Sequence, residues 1–112
     1  MAYCKIYIDS DADKGTMVSI LDGGVAVCFE RGEVEGDLFR NEVYRRNAPL
    51  KSTTYPVDRS RYYVEIDAAP DASISEEEFR IGVSKLIIWL RERADFVVAS
   101  CDFEDYVVKT TG

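Results

Sequence analysis

Over residues 2–8 the chain alternates Tyr3, Lys5 and Tyr7 with Cys4, Ile6 and Ile8, a period of two that predicts a strand with one strongly apolar face. Asp9-Ser10-Asp11 ends it and offers a helix cap. Met17, Val18, Ile20 and Leu21 then form the apolar side of a short helix over residues 11–21, closed by Gly23-Gly24. A second strand is expected over residues 25–30, and Arg31-Gly32 reads as a turn. A third extended stretch runs through Val34, Leu38, Val43 and Tyr44, broken near Gly36-Asp37. Residues 47–58, with Pro49, Pro56 and Ser52-Thr53-Thr54, read as a long loop, and loops of that length in small domains often carry function. Residues 62–67 and 96–100 read as further strands, and Tyr106-Val107-Val108 as a brief extended tail.

The second helix has the clearest signature. Ser75 with Glu76, Glu77 and Glu78 predicts a capping box with acids at the positive helix end, and Arg91 and Arg93 sit at the negative end. Phe79, Val83, Leu86, Ile87 and Leu90 fall at i, i+4, i+7, i+8 and i+11, a core-facing stripe that Ile88 and Trp89 widen. The resulting order, β-α-β-β-β-α-β, predicts an α+β fold: residues 1–112 as a single domain, a mixed or antiparallel sheet of about five strands, and two helices on one face in a ferredoxin-like arrangement.

Composition narrows the chemistry. With 112 residues, 46% apolar and 31% charged, the chain fits one domain that needs no metal or disulfide staple. Histidine is absent, which excludes a histidine general base, a Ser-His-Asp or Cys-His site and a histidine-ligated metal. The three cysteines, Cys4, Cys28 and Cys101, are widely spaced among apolar residues and read as reduced core thiols; their spacing supports neither a disulfide framework nor a metal knuckle. No apolar run is long enough to span a membrane, and Met1-Ala2-Tyr3-Cys4-Lys5 lacks a signal-peptide core, so a cytoplasmic protein is expected.

Asp9, Asp11 and Asp13 invite a metal or catalytic reading, which their spacing does not support. Counting Asp9 as the first position of an EF-hand loop, Lys14 and Ile20 stand where glycine and a bidentate glutamate are needed. Asp-x-Asp after an apolar strand also resembles the nucleophile loop of haloacid-dehalogenase phosphatases. Asp13 stands where that loop normally has threonine or valine, and the chain is too short for that fold. Acids at a helix N-terminus are the simpler reading. Asp102, Glu104 and Asp105 form a second acidic cluster, read as a solvated end or a protein-binding surface. No catalytic residue, cofactor or metal is assigned.

The net charge of −7 hides an uneven distribution: residues 1–39 carry −5, residues 40–61 carry +4 and residues 62–112 carry −6. The central segment sets Arg40, Arg45, Arg46, Lys51, Arg59 and Arg61 among Tyr44, Tyr55, Tyr62 and Tyr63. Its acidic flanks would repel phosphates, so nucleic acid is not expected. Arginine and tyrosine are enriched at protein interfaces, which makes a protein partner or a second copy the better reading.

Several segments carry a resemblance: Lys5-Ile6-Tyr7-Ile8-Asp9, Gly23-Gly24, Val34-Glu35-Gly36-Asp37, Val43-Tyr44-Arg45-Arg46-Asn47, Tyr63-Val64-Glu65-Ile66-Asp67 and Ala99-Ser100-Cys101-Asp102-Phe103-Glu104-Asp105. Together they resemble a group of small bacterial proteins of uncharacterised function, similar in general appearance to the immunity proteins that neutralise bacterial toxins. The resemblance implies a non-enzymatic, acidic α+β domain that masks a basic site on a toxin, and it carries no catalytic residue across. The candidate partner-binding residues are Asp9, Asp11, Asp13, Arg45, Arg46, Tyr55, Asp102, Glu104 and Asp105. Two alternatives stand beside this reading. One is a small enzyme or metal- or ligand-binding module built on the acidic strand ends; the other is a homodimeric structural protein.

Overall fold

The computed structural model describes residues 2–41 and 60–101. In chain order its elements are β1 (Tyr3–Asp9), α1 (Lys14–Cys28), β2 (Val34–Arg40), β3 (Tyr62–Ala68), α2 (Glu76–Arg91) and β4 (Phe96–Ser100). The protein is an α+β domain, and its described strands form one sheet in the order β2-β3-β1-β4 with every neighbouring pair antiparallel.

The alternation read in β1 sets which face of this sheet is buried. Cys4, Ile6 and Ile8 pair in register with Ile66, Val64 and Tyr62 of β3, and because successive side chains point to opposite faces, all six share one side. Leu38 of β2 and Val97 of β4 extend that side, and Met17 and Leu21 of α1 with Phe79, Val83, Leu86, Ile87 and Leu90 of α2 complete a single core against it. Both helices therefore cover the same face. The hydroxyl of buried Tyr62 donates to the carbonyl of Ala12 at 2.7 Å, so the polar tip of this core residue is satisfied by the loop that leads into α1.

α2 forms as its sequence indicates. The Ser75 hydroxyl accepts from the Glu78 N–H at 3.1 Å, and the Glu78 carboxylate accepts from the Ser75 N–H in return. The two side chains that widened its stripe divide: Ile88 is exposed, whereas Trp89 packs against α1 and donates its indole N–H to the Ile20 carbonyl at 3.3 Å.

The expectation of about five strands in the order β-α-β-β-β-α-β is corrected to β-α-β-β-α-β with four strands among the described residues. The strand expected over residues 25–30 does not form; α1 continues through Gly23 and Gly24 and ends at Cys28. Two helix-interior glycines cost about 1 kcal/mol each relative to alanine, which is why they read as a stop. Packing reverses the preference. A Cβ at Gly24 would stand 2.6 Å from the Trp89 ring, so the missing side chain is what lets α2 approach. One turn further on, the Phe29 ring lies over Gly82 of α2 and tilts against Phe79 at 6.2 Å between centroids. A strand over residues 25–30 would take the Phe29 ring off Gly82. The break expected near Gly36-Asp37 is also absent: β2 is continuous, and Gly36 faces the core beside Ile66. The Arg31-Gly32 turn is present, with Gly32 at φ 84°, a left-handed conformation that glycine adopts without strain.

Candidate functional site

The residues that alternate with the core-facing set form the other side of the sheet, and no described helix lies on it. Register arranges them in rows across the strands. Glu35, Asp67 and Tyr3 make one row, and Asp37, Glu65, Lys5 and Ser100 the next. Phe39, Tyr63, Tyr7 and Val98 make a third row that crosses all four strands. At roughly 4.8 Å per strand, this apolar row is about 14 Å long.

The aromatic row is tightly organised. Phe39 stacks on Tyr63 with 5.1 Å between centroids and 21° between planes, and Tyr7 tilts against Tyr63 at 6.2 Å. The Lys5 ammonium sits 4.3 Å from the Tyr63 centroid and 5.2 Å from that of Tyr7, so this cation is already held against aromatic faces. Phe39 and Tyr3 remain 37% and 39% exposed.

The rows on one flank are acidic: Asp37 and Glu65 adjoin the aromatic row, with Lys5 between them and Ser100, and Glu35 and Asp67 stand one row further out. The other flank is mixed, with Asp9 accepting from the Arg61 N–H. The local field is visible at Tyr3, which donates its phenol hydrogen to Glu65 Oε1 at 3.2 Å. Partial burial, the charge of Glu65 with the hydrogen bond to it, and the charge of Asp67 push the Tyr3 phenol up to about 12. Carboxylates beside aromatic faces suit an arginine or lysine, which can stack on a ring while its charge is paired.

The structure sets Asp13 apart from the other acidic residues picked out near the first strand and brings Asp9 and Asp11 to Arg61. Asp13 is the N-cap of α1, accepting from the Thr16 N–H at 2.7 Å, and hydrogen bonding to Thr16 holds its carboxyl below the usual value. Asp9, at the end of β1, accepts from the Arg61 N–H at 3.3 Å. Asp11 meets the Arg61 guanidinium at 3.6 Å while 95% exposed, a surface pair worth about 0–1 kcal/mol. Among the described residues no group of three His, Cys, Asp or Glu side chains is placed to hold a metal ion. Arg45, Arg46, Tyr55, Asp102, Glu104 and Asp105 lie outside the described residues.

A concavity of about 420 Å³ lies where α1 meets β2, lined by Val25, Phe29, Glu30, Arg31, Val34 and Gly36 among others. Its rim mixes opposite charges and presents neither a cysteine nor a hydroxyl nucleophile. The uncovered sheet face, with its ordered aromatic row and neighbouring carboxylates, is the stronger candidate. Sequence reading missed it, although Tyr3, Lys5 and Tyr7 stood out as the outward set of β1. Only register shows that Tyr63 and Phe39 join Tyr7 in one row.

Comparison with protein-family models, with curated proteins and with solved structures finds no match to this chain. The class that fold and face define is an α+β domain with one sheet face covered by both helices and the other left uncovered by any helix among the described residues. Among the described residues no helix is long and apolar enough to cross a membrane.

Proposed function

We propose that this is a non-enzymatic protein-binding domain whose open sheet face takes a basic, arginine- or lysine-bearing surface of a partner, in the manner of an immunity or antitoxin-like protein that masks a basic site. The observation that carries this reading is the aromatic row Phe39–Tyr63–Tyr7 running beside the carboxylates of Asp37 and Glu65, with those of Glu35 and Asp67 one row beyond. Rigid aromatic side chains supply contact area with little rotamer entropy to lose, and acidic neighbours select cationic partners and raise their association rate. The overall charge of −7 acts in the same direction.

Related readings fare less well on the same face. Exposed aromatics on a four-stranded sheet also serve as base-stacking platforms, but in the two rows on one flank four carboxylates stand against one lysine, and phosphates would be repelled there. Two copies meeting face to face would set these acidic rows against each other. We further infer a ferredoxin-like split β-α-β architecture, a reading supported by the element order β-α-β-β-α-β and the sheet order β2-β3-β1-β4.

The test is an NMR titration of the full chain with a short arginine-rich peptide as a probe of the face, repeated at high salt. Shifts confined to Tyr3, Tyr7, Phe39, Tyr63 and Glu65, and weakened by salt, would support the reading. Shifts confined to Asp9, Asp11 and Asp13, or none at all, would reject it.

A further inference from the structure

We propose that Cys4 and Cys101 are a redox-active pair that closes to an intramolecular disulfide joining the first strand to the end of the last. Their sulfurs are 2.8 Å apart although the residues are 97 positions apart in the chain. The approach follows from register. β1 and β4 pair Lys5 with Ser100, and one step further the antiparallel ladder sets Cys4 opposite Cys101. Residues directly opposite in such a ladder have Cα atoms about 4.5–5.5 Å apart, inside the range of about 4.4–6.8 Å that a disulfide bridges. Both side chains also point the same way, since Cys4 is fully buried in the core and Cys101 packs, half-buried, against its margin. Reaching the bonded length of about 2.05 Å takes a closure of about 0.8 Å.

The difference in burial assigns an order to the chemistry. An oxidant of the small-molecule disulfide class, such as oxidised glutathione, meets Cys101 first. The Cys101 thiolate attacks one sulfur of that disulfide, the other sulfur leaves as a thiolate, and a mixed disulfide forms on Cys101. The Cys4 thiolate then attacks the Cys101 sulfur and expels the second small thiol. In balance, two protein S–H bonds and the oxidant's S–S bond break, one protein S–S bond forms, and two electrons and two protons leave on two small-molecule thiols. Cys28, at the end of α1, has no part in this step; burial pushes its thiol up and so lowers its thiolate content, against a smaller opposing effect of Lys85.

The experiment uses the full chain carrying Cys28→Ser, so that only the pair is reported. It is equilibrated in glutathione buffers of increasing oxidation, acid-quenched, alkylated under denaturing conditions and weighed by mass spectrometry. The expected result is joint loss of both alkylation sites in one step, a mass lower by two hydrogens, and a Tm raised by roughly 20 °C for so long a closed loop. Cys4→Ala in the same background should accumulate a glutathione adduct on Cys101. Should Cys4→Ala fail to fold, Cys101→Ser, at the half-buried position, should leave Cys4 unmodified across the same buffers. The proposal is overturned if both thiols alkylate fully in the most oxidising buffer, or if the Cys28→Ser chain stops at a Cys101 adduct with Cys4 still alkylatable.

Discussion

The two sides of one sheet are built from the same strands, residue by residue in alternation, yet they follow different rules. On the covered side Cys4, Ile6, Ile8, Val64 and Ile66 are sealed beneath two helices, and each contributes through loss of water contact. On the open side Tyr7, Tyr63 and Phe39 hold one another while leaving apolar surface in water, and carboxylates gather beside them. Stability explains the first side. Folding alone gives no reason for the second, and that contrast is why the open face is read as functional.

Substitutions that separate stability from binding will sharpen this contrast. The largest loss of stability is expected from Ile6→Ala, which removes a fully buried side chain at the centre of the covered face; chemical denaturation should register about 2–5 kcal/mol. Gly24→Ala comes next. Its new methyl group meets Trp89 and Leu86 at 2.6 and 2.7 Å, and overpacking of about 1–3 kcal/mol exceeds the gain in helix propensity of about 1 kcal/mol. A denaturation midpoint higher than that of the parent chain would show that the helix contact yields easily. Ser75→Ala removes half of the α2 capping box and should cost about 1 kcal/mol, largely restored by Ser75→Asp.

The open face should respond in the opposite manner. Phe39→Ser is expected to change stability by less than about 1 kcal/mol while weakening the salt-sensitive binding of an arginine-rich probe, a split that Ile6→Ala cannot produce. The smallest effect concerns Tyr3. Its phenol is held up at about 12, so the unfolded chain releases this proton first, near pH 10. The Tyr3 contribution is therefore whole below pH 10 and is lost as the pH rises toward 12. Glu65→Gln should move the Tyr3 transition in a phenolate absorbance titration back toward its ordinary value; an unmoved transition would mean that the local field has another source.

The two helices show how much was legible beforehand. α2 was readable because its cap, its acidic first turn and its apolar stripe all lie within one stretch of chain and agree. α1 was misread because its glycines and its run of Val25, Ala26 and Val27 favour a stop and a strand locally, while contacts with Trp89, Phe79 and Gly82 far along the chain favour a helix. The acidic residues near β1 stand out in sequence as one group, and the structure divides them: Asp13 caps α1, whereas Asp9 and Asp11 both meet Arg61.

The sequence by itself determined the α+β class, the apolar face of β1, the whole of α2 and the absence of histidine chemistry, because each is a matter of composition or of short-range periodicity. Tertiary structure decided the rest. Strand register, a property of pairs of segments, placed Phe39 and Tyr63 beside Tyr7 and brought Cys4 against Cys101. Helix packing, which depends on what a missing side chain leaves room for, turned Gly24 from a stop signal into a contact.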